Sequence, residues 1–299
     1  MKKGFRSGFA VLAGAPNAGK STLLNRISGG SLSIVSPKPQ TTRQNLIAIK
    51  NSPGSQLALV DTPGYLDPRY KLQETMLSSI RRALHEEADV VCFVAEPNPP
   101  GKTERALAGL VAQLGVPAVL AINKIDSVSR VRAEAARIEY GKLLPGCASI
   151  HMISAARGTG VEALTAALSR LLPEHEPYFP EGQWTDKWER FFAAEFVREQ
   201  LLCLYEKEIP YACAAQTETF QENHGGEGYV RVVIHVERET QKPIIIGKGG
   251  GAIKKVREGA QKRLEEFLGR KLRLELFVKV SPGWRSDTAM IKEFGYHEG

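Results

Sequence analysis

The segment at residues 14–21 constrains the fold of this chain more than any other part of its sequence. Its letters, GAPNAGKS, match the phosphate-binding pattern G-x-x-x-x-G-K-[ST]. The apolar run at residues 9–13 predicts a buried strand before it, and residues 21–27 predict a helix after it. Because unpaired backbone N–H groups lie at a helix N-terminus, a loop in this position binds anions. The segment therefore predicts an α/β sheet with a phosphate site, although a glycine turn that binds nothing has the same local pattern.

Two side chains of this loop are assigned to the ligand. Lys20 is expected to reach the β- and γ-phosphates, and Ser21 is expected to reach Mg²⁺, while the glycines let successive backbone N–H groups face the phosphates. With the glycine of the next motif included, the predicted phosphate-binding residues are Gly14, Ala15, Asn17, Ala18, Gly19, Lys20, Ser21, Thr22 and Gly64.

The second motif, Asp-Thr-Pro-Gly at residues 61–64, follows an apolar run at residues 57–60. Asp61 therefore lies at the carboxyl end of a predicted strand, where open α/β sheets bind ligands. We expect Asp61 to hold Mg²⁺ through water, and the bare backbone of Gly64 to approach the γ-phosphate and to move when that phosphate leaves. Asp-Thr-Pro-Gly is also a common turn. Its position about forty residues behind the phosphate loop indicates a nucleotide switch.

The third motif, Asn-Lys-Ile-Asp at residues 123–126, follows the apolar run at residues 118–122. The carboxylate of Asp126 suits guanine, whose N1–H and 2-amino group are paired donors that adenine lacks. Ser154 and Ala155 follow another predicted strand and are expected to offer a backbone contact to the base, or else form an ordinary exit from that strand. The three motifs together predict a GTP site. Its predicted guanine-binding residues are Asn123, Lys124, Asp126, Ser154 and Ala155.

The order of predicted elements divides the chain near Leu172. Before this point strands alternate with helices, which predicts a P-loop GTPase domain of the α/β class, with a mostly parallel sheet and helices on both faces. The next ten residues contain three prolines and predict a linker. After them, a helix at about 186–206, strands at 211–220 and 229–237, a helix after Gly250 and a strand at 271–280 predict an α+β domain. The predicted units are residues 1–172, 173–182 and 183–299.

The second domain carries a concentrated basic segment. Residues 242–280 hold 11 lysines and arginines against 4 acidic residues, whereas the whole chain has a net charge of +7. Such a patch attracts phosphate backbones, although charged runs on helices are often only solvated.

Within this segment lies Gly-Lys-Gly-Gly at residues 247–250, a G-x-x-G loop of the kind that clamps nucleotides in KH domains, and also a sequence that could be a flexible turn. The surrounding α-β-β-α-α-β order favours a type II KH domain. The predicted RNA-binding residues are Gly247, Lys248, Gly249, Gly250, Ile253, Lys254 and Lys255.

Apolar runs and cysteines bear on the cellular location. No apolar run approaches the ~18 residues that span a bilayer. The four cysteines are scattered without C-x-x-C spacing, which is typical of reduced thiols. We therefore expect a cytoplasmic protein.

The combined motifs resemble the bacterial Era GTPase family over essentially the whole chain. The resemblance rests on Pro16 and Asn17, on Pro-Gln-Thr-Thr-Arg at residues 39–43, on both later nucleotide motifs, on the glycine loop, and on residues 278–280, 283–284 and 294–296. It implies GTP hydrolysis and assembly of the small (30S) ribosomal subunit, with a KH domain that binds the 3′ region of 16S rRNA. It also implies peripheral association with the inner face of the cell membrane. We expect a monomer.

The resemblance also assigns the metal ligands. Mg²⁺ is expected to be held by Ser21 and by a threonine of the first switch, with Thr42 favoured over Thr41, and by Asp61 through water. Asn17 implies a monovalent cation, K⁺, beside the phosphates. Tyr65 follows Gly64 where Ras-type GTPases have a water-orienting glutamine, so intrinsic hydrolysis should be slow.

Two other functions compete with an RNA-binding GTPase of ribosome assembly. An RNA-modifying GTPase would need further catalytic groups, and no reactive cysteine motif or metal cluster is evident in the sequence. A GTPase switch whose last domain binds a protein partner or a membrane surface is the main alternative. In either the leading or the main alternative function, GTP would hold residues 31–43 and 64–70 in one arrangement and so alter the position of the second domain.

Overall fold

The computed structural model describes residues 4–222 and 227–296, so the outermost residues of the predicted domains lie outside the described part. The first part of the chain builds a sheet in the order β2-β3-β1-β4-β5-β6. Its strands are β1 (Arg6–Ala13), β2 (Leu46–Ser52), β3 (Ser55–Asp61), β4 (Val90–Ala95), β5 (Ala118–Ile122) and β6 (Ser149–Met152).

The pairing of these strands confirms the prediction of a mostly parallel sheet. β1 pairs in parallel with β3 and β4, and the parallel series continues through β5 to β6. Only β2 runs antiparallel, as a neighbour of β3. The sequence did not predict β2, because its first four residues are apolar but its last three are polar.

Helices cover both faces of this sheet, as expected. They are α1 (Lys20–Ser28), α2 (Lys71–Arg82), α3 (Lys102–Ala112), α4 (Arg130–Leu143) and α5 (Val161–Leu171). α1 and α5 bury Leu23 and Leu164 on one face, whereas α2, α3 and α4 bury apolar residues such as Leu107 and Tyr140 on the other. A π-helical turn, Ala83–Glu87, extends α2. The helices cover the two faces of the sheet but not the carboxyl ends of its strands. The nucleotide motifs lie at these ends and stay accessible.

Residues 173–188 form no helix and run along the first domain. The backbone N–H of Ser7 donates to Pro173 O at 3.2 Å, and the Gln56 side chain exchanges two hydrogen bonds with the backbone of Phe179. The segment predicted as a linker is thus attached to the sheet of the first domain. The helix expected from residue 186 begins instead at Glu189, because the Asp186 carboxylate accepts a hydrogen bond from the backbone of Ile47 at 2.9 Å.

The second domain has a three-stranded sheet in the order β7-β8-β9, with an antiparallel and a parallel pair. One predicted strand start was wrong, since residues 209–212 form a helical turn with Pro210 near its start. The elements are α6 (Glu189–Leu204), α7 (Ile209–Ala212), β7 (Ala214–Gln221), β8 (Gly228–Val236), α8 (Lys242–Ile246), α9 (Gly251–Leu268), β9 (Leu272–Val280) and α10 (Thr288–Glu293).

A small apolar cluster joins the two domains. Leu72 and Met76 of α2 pack with Trp284, Phe294 and Tyr296, all of which are buried. The larger core also continues from the first sheet into the second domain. The helix that follows the second switch is therefore packed directly on the C-terminal end of the chain.

Within residues 4–222 and 227–296, no helix combines the length and the apolar composition needed to cross a membrane.

A histidine in the second domain should make stability depend on pH. His235 on β8 is only 3% exposed, its Nδ1 lies 2.9 Å from Ser281 Oγ, and its ring packs against Phe294. Burial, aided by the positive charge of Lys279, lowers the pKa of His235 to about 4. The folded protein therefore keeps this ring neutral at pH values where the unfolded chain, with a histidine pKa of about 6.5, takes up a proton.

We predict that His235→Gln flattens the pH dependence of stability. A folded-state pKa below the unfolded value contributes stability above about pH 6.5 that is lost as the pH falls toward 4. Between pH 7 and pH 5 the wild type should lose about 2 kcal/mol more of its free energy of unfolding than His235→Gln does. Urea denaturation at both pH values measures this difference. The exposed His175→Gln is the control, and parallel curves for wild type and His235→Gln would contradict the prediction.

Candidate functional site

A cavity of about 390 Å³ lies between the phosphate loop and residues 34–42. The loop connects β1 to α1, and the second and third motifs approach it from the ends of β3 and β5. The sequence motifs thus meet at one edge of the sheet, as predicted for an open α/β fold. The predicted site residues that line this cavity are Asn17, Gly19, Lys20, Ser21, Thr22, Thr41, Thr42, Gly64 and Lys124.

Lys20 supplies the positive charge of the cavity. Its Nζ donates to Gly14 O at 3.0 Å and to Ala15 O at 3.1 Å. Burial lowers the pKa of Lys20 to about 8, and the charge of Asp61 opposes that shift. Because its hydrogen-bond partners are neutral carbonyls, the buried ammonium group gains strongly from an anion placed in the loop.

Three hydroxyl groups converge on the carboxylate of Asp61. Ser21, Ser33 and Thr42 donate to Asp61 Oδ2 at 2.7, 2.9 and 3.2 Å. The hydroxyls of Ser21 and Thr42 lie 2.8 Å apart. Asp61 is fully buried, and none of the residues that the structure describes forms a hydrogen bond with its Oδ1. Burial raises the pKa of Asp61, against the effects of Lys20 and of the three hydroxyls.

This cluster fits Mg²⁺, which prefers oxygen ligands and keeps part of its water shell. An orphaned buried carboxylate oxygen is the group expected to accept from a water of the ion or to face the ion itself. The geometry supports Thr42 over Thr41 as the threonine of the site, since the Thr42 hydroxyl contacts Ser21. The sequence reasoning missed Ser33, because it lies in the first switch outside any of the three nucleotide motifs.

Asn25 attaches the beginning of the first switch to α1 and was also missed. Its Oδ1 accepts from the backbone N–H groups of Leu32 and Ser33, both at 2.9 Å, and its Nδ2 donates to Ser33 O at 2.8 Å. The available signal in the sequence was that Asn25, a residue with an amide side chain, lies between the buried residues Leu24 and Ile27 of α1.

Gly64 packs against the phosphate loop. A Cβ atom at this position would lie 2.6 Å from Pro16 Cα and 2.7 Å from Pro16 N, closer than any side chain permits. The next residue, Tyr65, donates its backbone N–H to Gly14 O at 3.1 Å. The start of the second switch therefore requires glycine in order to approach Pro16, in addition to the predicted approach to the γ-phosphate.

Asn123 joins the phosphate loop to the predicted base loop. Its side chain is 2% exposed, its Nδ2 donates to Ala18 O, and its Oδ1 accepts from the N–H of Ala155, both at 2.9 Å. Arg26 of α1 adds a third link by donating to Ala155 O at 3.0 Å. Ser154 and Ala155 were predicted to offer a backbone contact to the base; the N–H of Ala155 is engaged by Asn123, and this pair fixes the position of the base loop.

Asp126 is held as an anion beside this loop. Its carboxylate lies 3.4 Å from the Arg157 guanidinium. A hydrogen bond from Ser154, with a smaller contribution from Arg157, lowers the pKa of Asp126 below its ordinary value. Lys124 forms an ion pair with Glu96. An ionised carboxylate is an acceptor only, which is what paired donors on guanine require.

Asn17 touches the first switch across the cavity. Its backbone is left-handed, with φ of 65°, and its Nδ2 donates to Pro37 O at 3.2 Å. Its role beside K⁺ stays a prediction.

A second cavity of about 670 Å³ lies between α9 and β9 in the second domain. Of the predicted RNA-binding residues, Gly250, Ile253 and Lys254 line it, whereas Lys255 does not. Further residues that the sequence reasoning missed line the groove, at helical spacing along α9 and at alternate positions of β9. This spacing places residues on one face of a helix or strand and was the available signal. They are Arg257, Gln261, Arg273, Glu275 and Phe277, with Leu274 and Leu276 from the same strand.

The glycine loop at the end of this groove is a tight turn. Gly247 has a φ of 72°, and a Cβ there would lie 2.5 Å from the Cβ of Ala252. The N–H of Gly250 donates to Gly247 O at 3.1 Å. Lys248 is exposed on this turn, two residues before Gly250, which lines the groove together with Lys254.

Comparisons with known proteins find a family model for each part of the chain. One family model, described as a 50S ribosome-binding GTPase, matches residues 9–124, and a KH domain model matches residues 208–285. The GTPase Era of Elusimicrobium minutum is 50% identical to the chain over 98% of each sequence.

Two solved structures are similar over nearly the whole chain. A variant of Aquifex aeolicus Era bound to GDP and AlF4⁻ is 35% identical, with a TM-score of 0.93 and coverage of 98% of this chain and 100% of that one. An Era in complex with MgGDPNP and nucleotides 1506–1542 of 16S ribosomal RNA is also 35% identical, with a TM-score of 0.94 and coverage of 98% and 99%. With identity and fold shared over 98% of its length, this chain belongs to the Era GTPase family.

Proposed function

We propose that this chain hydrolyses GTP and binds the 3′ region of 16S rRNA during assembly of the 30S subunit in the cytoplasm. The observation that carries the proposal is the presence, in one packed chain, of a phosphate cavity with an oxygen cluster and of a basic groove ending in a G-x-x-G turn. A relative of the same fold has been solved with MgGDPNP and with nucleotides 1506–1542 of 16S rRNA. Peripheral membrane association is a further property that the resemblance suggests.

Hydrolysis is the attack of water on the γ-phosphate, so catalysis consists of positioning and charge stabilisation. Lys20 and the backbone N–H groups of the loop stabilise negative charge on the phosphates. Ser21 and Thr42, with Asp61 behind them, would hold Mg²⁺, which would supply further positive charge to the phosphates. The ring of Tyr65 packs against the core of the first domain. The side chain of Tyr65 lacks the amide group with which a glutamine side chain orients the attacking water. The intrinsic rate should therefore be slow.

Asp126 should determine the choice of base. Guanine presents N1–H and a 2-amino group, whereas xanthine presents N1–H and a 2-oxo group. Asp126→Asn replaces one acceptor with a donor, so we expect GTP affinity to fall by about 100-fold and affinity for xanthosine triphosphate to rise. Competition binding with the two nucleotides measures both changes. Glu134→Gln, which alters an ion pair with Arg137 on α4 outside the cavity, is the control. Unchanged preference for GTP in Asp126→Asn would contradict the role of Asp126.

We also propose that K⁺ lies beside Asn17 and supplies positive charge near the phosphates. Asn17 is suited to this because it connects the phosphate loop to Pro37 of the first switch. Hydrolysis should be about tenfold faster in K⁺ than in Na⁺ at equal ionic strength, since one added charge contact stabilises the developing anion. Asn17→Ala should abolish the difference. Equal rates in both salts for the wild type would remove the proposal.

The groove between α9 and β9 suits single-stranded RNA. Its lysine and arginine side chains meet phosphates, while Ile253 and the half-exposed Phe277 offer apolar surface to unstacked bases. The tight turn at Gly247 allows the sugar-phosphate backbone to approach closely.

We predict that Lys248→Ala with Lys254→Ala weakens binding of an oligonucleotide copied from the 3′ end of 16S rRNA by about tenfold. The slope of log Kd against log salt should fall by roughly 0.7 for each phosphate that is no longer neutralised by a lysine. Fluorescence anisotropy over a salt series measures both quantities. Lys262→Ala is the matched control, because Lys262 is an exposed lysine of α9 outside the groove. Wild-type RNA affinity in the double variant would contradict the proposal, and binding to anionic vesicles alone would favour the alternative of a membrane-binding switch.

A further inference from the structure

The second half of the first switch is attached to the C-terminal domain. Lys38 Nζ donates to Leu202 O at 2.5 Å and also to Tyr205 O, both at the end of α6. Arg43 is 3% exposed, and its guanidinium donates to Cys213 O at 2.7 Å and to Pro210 O at 3.2 Å. These contacts place residues 38–43 across the surface of the second domain.

The side chain of Arg43 is enclosed as well as hydrogen-bonded. Its guanidinium carbon lies 6.0 Å from the centre of the Trp284 ring and 5.8 Å from that of Tyr296. Both aromatic residues belong to the buried cluster that joins the domains. A charged group that donates to carbonyls and lies beside two aromatic rings has little freedom to move while the domains remain packed.

A second arginine reaches back toward the switch. Arg198 lies on α6 and is 1% exposed. Its Nη2 donates to Thr41 O, and its Nε donates to Glu195 Oε1 at 2.8 Å. Glu195 thus balances the buried charge of Arg198 and orients its guanidinium. One nitrogen of that guanidinium is directed at the backbone of the switch. Buried ion pairs add little to stability on balance, so a gain in stability does not explain why Arg198 is buried here. Its hydrogen bond to the backbone of Thr41 indicates a role in the switch instead.

Thr42 stands between these two anchors. The carbonyl of the preceding residue is held by Arg198, and the side chain of the following residue is held by Cys213 O. The Thr42 hydroxyl meanwhile contacts Ser21 Oγ at 2.8 Å and Asp61 Oδ2 at 3.2 Å. Its backbone is therefore positioned from the C-terminal domain, and its hydroxyl acts in the nucleotide site of the first domain.

We propose that Arg198 is a positioning residue for GTP hydrolysis, through which the C-terminal domain holds Thr42 at the magnesium site. The inference rests on the proposed function, because it assumes that Ser21 and Thr42 bind Mg²⁺ when GTP is present. Coupling of this kind is reciprocal. Whatever stabilises Thr42 in the site, namely the γ-phosphate and its metal, also stabilises the packing of the C-terminal domain against residues 38–43.

Arg198 is a better probe of this coupling than Arg43. Removing Arg43 would open a buried space between the domains and leave several carbonyls unpaired, so the variant could simply unfold. Arg198→Met keeps the length of the side chain. Combined with Glu195→Gln, it leaves no unpaired charge in the interior. Arg190→Met is the matched control, because Arg190 lies on the same helix and donates to Thr217 O at 2.8 Å within the second domain.

The experiment compares the affinities of MgGDPNP and MgGDP, without RNA, in the full chain. Switch threonines are ordered by the γ-phosphate and its metal, so the loss should be selective for the triphosphate. In Glu195→Gln/Arg198→Met we expect MgGDPNP affinity to fall about tenfold, the size expected from a charge-assisted hydrogen bond, with MgGDP affinity unchanged. With EDTA in place of Mg²⁺, the selective loss should disappear. Single-turnover hydrolysis should also slow about tenfold, and Arg198→Lys should recover part of each loss.

A comparison with Thr42→Ala separates this inference from the proposed function. If Arg198 acts through Thr42, adding Glu195→Gln/Arg198→Met to Thr42→Ala should cause no further selective loss of MgGDPNP affinity. Equal losses for both nucleotides, additive losses with Thr42→Ala, or no loss at all would overturn the role of Arg198. Should Thr42→Ala itself show no selective loss, the assignment of the magnesium site in the proposed function would be the part that fails.

Discussion

The carboxylate of Asp61 holds the nucleotide site together. It lies at the end of β3, fully buried, and accepts from hydroxyls on α1 and on two separate points of the first switch. A buried carboxylate without such donors would be costly, so the three hydroxyls must converge on it. Their convergence closes residues 33–42 over the phosphate loop. The remaining carboxylate oxygen is left for a metal or its water, and the cavity takes its shape from this arrangement.

The same switch segment connects the site to the second domain. Its first residues are attached to α1 by Asn25, and Ser31 O accepts from Arg263 of α9 at 2.9 Å. Its last residues are attached to α6 and α7 through Lys38 and Arg43. The helix after the second switch packs on the aromatic cluster near the C-terminus. A change in the phosphates therefore has a physical route to the KH domain at both switches, through contacts that connect two packed bodies.

Much of the fold could be predicted because its elements are locally encoded. Buried strands such as β5 are short continuous apolar runs, and the helices that cover them show apolar residues at helical spacing. The errors occurred where tertiary contacts overrode local pattern. β2 is a strand only because it pairs with β3, and α6 begins late because Asp186 is engaged by Ile47. Arg257 and Arg273 were missed because they come together only when α9 packs beside β9.

GTP binding, the phosphate loop, the two switches and the G-x-x-G turn could all be predicted without the structure, since each motif is a continuous run whose chemistry follows from its own residues. How these parts act on one another depends on the packing of the folded chain. Arg198 and Thr41 are far apart in the chain, as are Asn123 and Ala18, and no local pattern connects them. Their contacts exist because the sheet, α6 and the switch segment pack together, and a buried polar group must find its partner wherever that packing places one.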